Sequence, residues 1–413
     1  MTDKTDRSGD KKIKVLRVIA RLNTGGPATH VILLNSGLDK KRFTSYLAAG
    51  SVSRGERDMT PDAKKVGIKP FIIPELKREI SLKDDLAAFF KIYRLMRRLK
   101  PDIVHTHTAK AGALGRVAAM LINAPIKIHT FHGHIFHSYF GRLKSKIFLG
   151  IERILAHFTT RIVVISEKQL SEIRDRYKIA PEGKYSVIPL GLNLEQFLTP
   201  SGKRDLRKEL SIDEDTLLVG IVGRLVRVKN HKMFLEAAER IKIKYPHIKV
   251  KFLIVGDGPL RGELERYTKK LGMEDSVIFI GWRANLSALY ESLDIACLTS
   301  LNEGTPISLI EAMASGKAVL STDVGGVRDV ITHNESGLLS PSGDVEGFSR
   351  NLSELLQDKK ERQGIGENAR AFVTRRFSKE RLIRDTEVLY DQELKKVYGS
   401  EYNRVLEIHD MEV

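Results

Sequence analysis

Residues 217–259 read LLVGIVGRLVRVKNHKMFLEAAERIKIKYPHIKVKFLIVGDGP. Two apolar runs, LLVGIVG (217–223) and VKFLIVG (250–256), flank a segment, HKMFLEAAERIKIKY (231–245), whose apolar residues recur at helical spacing. Runs this continuous belong to strands buried on both faces, and a strand–helix–strand unit of this length joins parallel strands. Each run closes on a glycine, with cations or a Gly-Asp-Gly-Pro turn directly after it.

The unit repeats outward in both directions. Toward the N-terminus lie KVLRVIA (14–20), SYLAA (45–49), KPFIIP (69–74), DIVHTH (102–107), KIHTFHG (127–133), RIVVIS (161–166) and YSVIPLG (185–191). Toward the C-terminus lie VIFIG (277–281), IACLT (295–299) and AVLST (318–322). Amphipathic segments such as LKDDLAAFFKIYRLMRRLK (82–100) separate them. The alternation predicts parallel sheets covered by helices on both faces. It restarts across 192–216, a stretch with Pro, Gly and dense charge, read as a hinge. The expected class is α/β with two doubly wound, Rossmann-like domains facing across a cleft: a tail over 1–12, a first domain over 13–191, a second over 192–375, and C-terminal helices over 376–413 packing back on the first.

The chain has 413 residues, 42% apolar and 29% charged, enough for two cores and unlike a disordered chain. Its net charge of +17 favours anionic partners without choosing among nucleic acid, lipid and phosphorylated substrates. With aromatics at 7% and no helix-turn-helix, RNA-recognition or zinc-finger pattern, nucleic acid is not an expected partner. The lone cysteine, Cys297, forbids an internal disulfide and sits in an apolar run, so a cytoplasmic compartment is the default. No stretch has signal-peptide or bilayer-spanning character. The expected location is the cytoplasm, with a peripheral position on the inner face of the cell membrane as its extension.

Ligands of open α/β sheets sit beyond the carboxyl ends of strands, so the residues after each run are the candidates. Arg224 and Lys229 leave one strand end and together suit a diphosphate; a solvated pair is the alternative. Gly256, Asp257 and Gly258 form a turn that a ligand can approach closely, though GDGP is also an ordinary turn. Trp282, the lone tryptophan, is either a base-stacking residue or a core or lid residue. In NEGTPISLIEAM (302–313), Thr305 is the expected N-cap and Pro306 the first helical residue. Unpaired N–H groups at that helix start make an anion site. Glu303 lies before it. Glu311 lies six residues past Thr305, roughly 9 Å along, with its side chain directed back. That layout matches a sugar, a diphosphate and a ribose in a row. Gly25 and Gly26, after the first strand, open a helix without a G-x-G-x-x-G pattern, so no dinucleotide cofactor is indicated.

The run EGTPISLIEAMASGKAVLSTDVGGVRDVI, the Arg224–Lys229 pair and VGDGP together resemble the retaining glycosyltransferases of family four, which have the two-Rossmann GT-B fold. The resemblance covers most of the chain and is strongest over 217–340. It implies that Glu303 contacts the transferred sugar, Glu311 the ribose, and Arg224 and Lys229 the diphosphate. It implies further that Gly304, Thr305, Pro306, Ile307, Ser308 and Leu309 line the phosphate and sugar pocket, that the Gly25–Gly26 loop closes over the diphosphate, and that His132 approaches the sugar. At the hinge PLGLN (189–193) departs from the family's Pro-Asn-Gly-Val-Asp, so Asn193 is given no role. The implied reaction is metal-independent, retaining transfer from a nucleoside-diphosphate sugar, UDP-linked or else GDP-linked, to a saccharide or lipid-linked acceptor in envelope polysaccharide synthesis. The rival readings are a catalytically silent binding subunit of this fold and a basic nucleic-acid binder.

Two further features stay open on sequence alone. His105 and His107 share a strand face, in a region that also holds His129, His132, His134 and His137; a zinc site is the alternative to the sugar and phosphate reading, and no metal is expected. The stripe Phe140, Leu143, Ile147, Ile151, Ile154, Leu155 and Phe158 is either core-facing, or part of a basic surface that meets anionic lipid or a lipid-linked diphosphate.

Overall fold

The computed structural model describes residues 12–52, 56–77, 79–133, 142–199 and 205–399. The chain forms two compact units, one of residues up to Leu192 together with those from Lys379 on, the other Asn193–Ser378. The first unit runs β1 (Ile13–Ile19), α1 (Gly26–Gly37), β2 (Phe43–Gly50), α2 (Thr60–Lys65), β3 (Phe71–Ile73), α3 (Leu82–Leu99), β4 (Ile103–His107), α4 (Ala109–Leu121), β5 (Ile126–Phe131), α5 (Arg142–Phe158), β6 (Arg161–Val164), α6 (Glu167–Ser171) and β7 (Tyr185–Val187). The second runs α7 (Glu195–Leu198), α8 (Asp205–Glu209), β8 (Leu217–Val222), α9 (His231–Lys244), β9 (Val250–Val255), α10 (Arg261–Lys270), β10 (Val277–Gly281), α11 (Leu286–Ser292), β11 (Ile295–Leu298), α12 (Ile307–Ala314), β12 (Ala318–Thr322), β13 (Leu338–Ser340), α13 (Val345–Gln357) and α14 (Lys359–Phe377). The last helix, α15 (Lys379–Tyr398), returns to the first unit.

Both sheets are parallel and doubly wound. Their strand orders are β3-β2-β1-β4-β5-β6-β7 and β10-β9-β8-β11-β12-β13. In the first, Val15 pairs with Ser45 on one side and Ile103 on the other. In the second, Val219 pairs with Phe252 and Ile295. The order in which strands are added across the sheet reverses between β1 and β4, and between β8 and β11. Right-handed crossovers therefore send helices to opposite faces there and open a crevice at the carboxyl edge. The strand runs read from the sequence appear here, with YSVIPLG shortened to three paired residues. The three-residue strand β13 is an addition that periodicity does not announce.

Burial follows the parallel arrangement. In β1, Val15 on one face packs with Leu34 of α1, with Leu38 just past its end, and with Leu382, Leu389 and Tyr390 of α15. Leu16 and Val18 on the other pack with Ala88, Ile92 and Met96 of α3 and Ala111 and Ala118 of α4. The core of the second unit joins β8, β9, β11 and β12 to α9 and α13. Cys297 is buried within it, and burial pushes its thiol up, which makes it an inert packing residue.

One alternative left open by the sequence is decided. Ile147, Ile151, Ile154 and Phe158 of α5 are exposed, at 40–64%, and among the described residues of that stripe only Leu155 turns inward. The opposite side of the helix holds it in place: Glu152 accepts two hydrogen bonds from the Arg116 guanidinium of α4, at 2.7 and 2.9 Å, with both side chains buried. The stripe is therefore not core-facing. His134, His137 and Phe140 lie outside the described residues, and no side chain is described at Leu143.

Candidate active site

The crevice of the second unit is built from two strand ends, laced by backbone. After β8 the chain passes Gly223 and Arg224 and makes one 3-10 turn over Arg227–Lys229. Leu225, fully buried, anchors this loop: its N–H donates to Asp257 O at 3.0 Å and its carbonyl accepts from Leu260 N–H at 3.2 Å. Such contact leaves no room for side chains. A Cβ on Gly256, at φ +126°, would lie 2.0 Å from Gly223 O, and one on Gly258 would lie 2.5 Å from Leu225 O. These two glycines therefore set one loop on the other, apart from any approach by a ligand. Asp257 is engaged locally, accepting from Gly258 N–H at 2.6 Å.

The loop after β11 is bound to the same turn. Thr299 Oγ1 donates to the carbonyls of Lys229 and Asn230 at 3.2 and 3.0 Å, and Leu301 N–H donates to Val228 O at 2.8 Å. This brings two residues of the sequence reading into contact. Lys229 Nζ donates to Glu303 Oε1 at 2.5 Å, and Ser300 Oγ donates to the same oxygen at 2.5 Å. Below them lies a third loop that the sequence reading passed over. Gly325 has φ +55°, and a Cβ on it would stand 1.9 Å from Glu303 O; one on Gly326 would stand 1.9 Å from Gly304 O. Gly326 N–H donates to Glu303 O at 3.0 Å. The signal was present as VGG soon after the AVLST run, the same punctuation as GDGP.

Helix α12 begins at Ile307, with Pro306 as its N-cap and no side-chain cap hydrogen bond, which corrects the expected Thr305 cap by one residue. The physical reason is that Pro306 keeps ψ at 92°, outside the helix, while its carbonyl accepts from Leu309 and Ile310 N–H. Leu309 is buried in the core, so only its backbone can face a ligand. Glu311, one turn in, accepts from the Tyr290 hydroxyl at 3.0 Å. Burial pushes its carboxyl up to about 7 despite that hydrogen bond. Tyr290, fully buried on α11, was not foreseen. Arg224 is exposed at the rim. Trp282 is 65% exposed just past β10, two strands from β8, which removes the core alternative for it. The acidic run Asp213-Glu214-Asp215 is surface: Asp215 pairs with Lys249 at 2.5 Å, both exposed.

The crevice of the first unit gathers histidines. Gly25, at φ +154° and ψ 169°, adopts backbone angles that only glycine takes readily, and Gly26 opens α1. Four residues on, His30 of α1 meets His107 of β4 and His132 after β5; their ring nitrogens lie within 4.8 Å of one another. His107 Nδ1 and His132 Nε2 share a hydrogen bond of 2.9 Å. His105 stacks on His107 at 4.4 Å and bonds the Tyr390 hydroxyl and Thr130 Oγ1, each at 2.7 Å. Burial lowers all of these histidines, His132 to about 3, so they are neutral near pH 7. His30 was missed because nothing local in GGPATH announces a long-range cluster. Three neutral imidazoles can in principle ligate a metal. The fixed charges acting on His30 here are Arg17 and Arg381, both cationic, and that field favours an anion or a hydroxyl-rich ligand over a dication.

Residues 202–372 match the model of "Glycosyl transferases group 1" and residues 24–196 that of "Glycosyltransferase Family 4". The chain is 32% identical over 294 residues to the Escherichia coli UDP-Gal:alpha-D-GlcNAc-diphosphoundecaprenol alpha-1,3-galactosyltransferase, covering 71% of this chain and 76% of that protein. It is 28% identical over 333 residues to the capsular polysaccharide biosynthesis glycosyltransferase CapM of Staphylococcus aureus, covering 79% and 86%. Among solved structures, Anabaena Alr3699/HepE in complex with UDP superposes with a TM-score of 0.77 at 20% identity, over 92% of this chain and 100% of that one. The two parallel-sheet units are thus those of the GT-B glycosyltransferases. The chain belongs to glycosyltransferase family 4.

Proposed function

We propose that this chain moves a sugar, with retention of anomeric configuration and without a metal, from a UDP-linked donor to a saccharide or lipid-linked acceptor in envelope polysaccharide synthesis, working at the cytoplasmic side of an anionic membrane. The observation that carries the reading is one row of groups at the carboxyl edge of the second sheet: Glu303 paired with Lys229, the uncapped start of α12, then Glu311. Glu303 accepts from hydroxyls of the transferred sugar. Arg224, Lys229 and the N–H groups of Thr305 and Ile307, on either side of Pro306, take the diphosphate, where charge grows as the donor bond breaks. Preorganised donors of this kind are worth roughly 3–4 kcal/mol each in the transition state. Glu311 accepts from the ribose hydroxyls. In the first unit, the Gly25 and Gly26 amides are assigned to a phosphate oxygen, and the neutral His132 ring to a hydroxyl of the sugar.

In the proposed step the bond from the anomeric carbon to the phosphate oxygen breaks, and a bond to the acceptor oxygen forms on the same face. The acceptor proton passes to the departing diphosphate. The names of the Escherichia coli and Staphylococcus aureus relatives support the donor and pathway class. The test is a thermal-shift panel of UDP-, GDP- and ADP-sugars, followed by magnetic resonance of the product made from the stabilising donor. Specific stabilisation by UDP-sugars and a product anomer matching the donor are expected. An inverted anomer, or no stabilisation by any of the three, overturns the reading.

A further inference from the structure

The helices of the first unit sort by sheet face. α1 and α15 cover one side, while α3 and α4 cover the other, with α5 attached to α4. On that second side the outward surface is apolar where solvent would ordinarily demand charge. Ile147, Ile151, Ile154 and Phe158 fall at helical spacing along α5 and are 56%, 40%, 64% and 47% exposed. On α3, Leu86 and Phe90 continue a line from Leu82 and are 54% and 53% exposed. Single exposed apolar residues are ordinary; aligned stripes on two helices of one layer are not.

The charge around the stripes is as one-sided as their apolarity. Among its described side chains α5 carries Lys146 and Arg153 against one carboxylate, Glu152, which is already paired internally with Arg116. α3 carries five, of which Lys91 is paired with Glu75, against Asp84 and Asp85, and these two are paired with Lys77 and Lys110. A second copy docking here would set cations against cations. An anionic lipid surface meets both features at once, taking apolar residues into its acyl boundary and cations at its phosphates.

We propose that the α3–α5 layer is the face by which the first unit docks on an anionic phospholipid bilayer, with the α5 stripe inserted below the headgroups. The exposed start of α3 lies at the carboxyl edge of the sheet, the edge that carries Gly25 and His132. Docking therefore holds that edge at the level where a lipid-linked diphosphate emerges, a consequence that rests on the acceptor class proposed above.

The experiment is flotation of the full chain with vesicles of phosphatidylglycerol and phosphatidylethanolamine, and with vesicles of phosphatidylcholine alone, at low and high salt. The parent is expected to float with the anionic vesicles and to be released in part by salt. The exposed double variant Ile147→Ser/Ile154→Ser is expected to lose about tenfold or more in partitioning, with an unchanged circular dichroism spectrum and unchanged stabilisation by UDP-sugar. Equal partitioning of variant and parent, or equal binding to neutral vesicles, overturns the proposal. So does a concentration-dependent dimer that the double variant dissolves while neither form floats, which assigns the face to a second copy. Stabilisation by nucleotide without flotation sinks this inference alone, and flotation without any nucleotide response sinks only the donor reading.

Discussion

Replacing Glu311 with Gln separates what this carboxylate costs the empty fold from what it does for a donor. Burial pushes the group from its usual 4.5 up to about 7, and the Tyr290 hydroxyl pulls weakly the other way. Between those two values the folded state keeps a proton that the unfolded chain has released. The contribution of Glu311 to stability therefore falls as pH rises through this window and levels off above it. A separation of about 2.5 pH units, at ~1.4 kcal/mol each, makes the ionised group cost roughly 3 kcal/mol at pH 8. His231, in the same unit, has the opposite slope. Burial and then Lys229 hold it down at about 4, so its contribution is lost as pH falls from 6.5. Where the two windows overlap their slopes oppose each other, so the informative quantity is variant minus parent. In urea unfolding, Glu311→Gln is expected to match the parent near pH 4.5 and to exceed it by about 3 kcal/mol at pH 8, while its stabilisation by UDP-sugar disappears. A stability difference that does not change with pH, or undiminished donor binding, would refute the reasoning.

Other perturbations test other joints. Gly325→Ala places a methyl 1.9 Å from Glu303 O at a backbone angle of φ +55°; a loss of roughly 2–4 kcal/mol in denaturant unfolding is expected, with donor binding lost alongside. Lys229→Ala and Arg224→Ala should each lower nucleotide release in single turnovers by about a hundredfold at intact stability, and wild-type turnover in both would void the phosphate assignment. Glu152→Ala leaves Arg116 buried without its partner, at an expected cost of 3–5 kcal/mol, roughly, read as a shift in denaturant midpoint. The neutral histidines of the first unit, His132 at about 3 among them, must gain protons on unfolding below pH 6.5. Stability of that unit should therefore fall as pH drops from 6.5, and a unit equally stable at pH 7.5 and 5 would contradict the burial of the cluster.

What was legible in the sequence was local. Strand runs buried on both faces declare themselves by composition, so the alternation of LLVGIVG, its helix and VKFLIVG carried the class of fold. The spacing of Glu303 and Glu311 was readable because helix rise is fixed. Contacts between distant segments were not readable. The Tyr290 hydroxyl reaches Glu311 from another helix, His30 meets His132 from a different crossover, and Gly325 backs onto Glu303 through a third loop. The start of α12 shifted by one residue because proline fixes only one of its two backbone angles. The outward turn of the α5 stripe was undecidable from periodicity, since an amphipathic pattern names a face and not the medium against it. The buried Arg116–Glu152 pair settles it, and its partners lie 36 positions apart.

The peptide N–H of Lys379 donates to Leu192 O at 3.0 Å, so the polypeptide leaves the first unit and re-enters it at one spot. The 193–378 portion is in effect a cassette whose two leads are already side by side. Such a cassette can be lifted out, or exchanged for that of a relative with a different nucleotide preference, by suturing a single gap, and the seven-stranded sheet keeps every one of its neighbours.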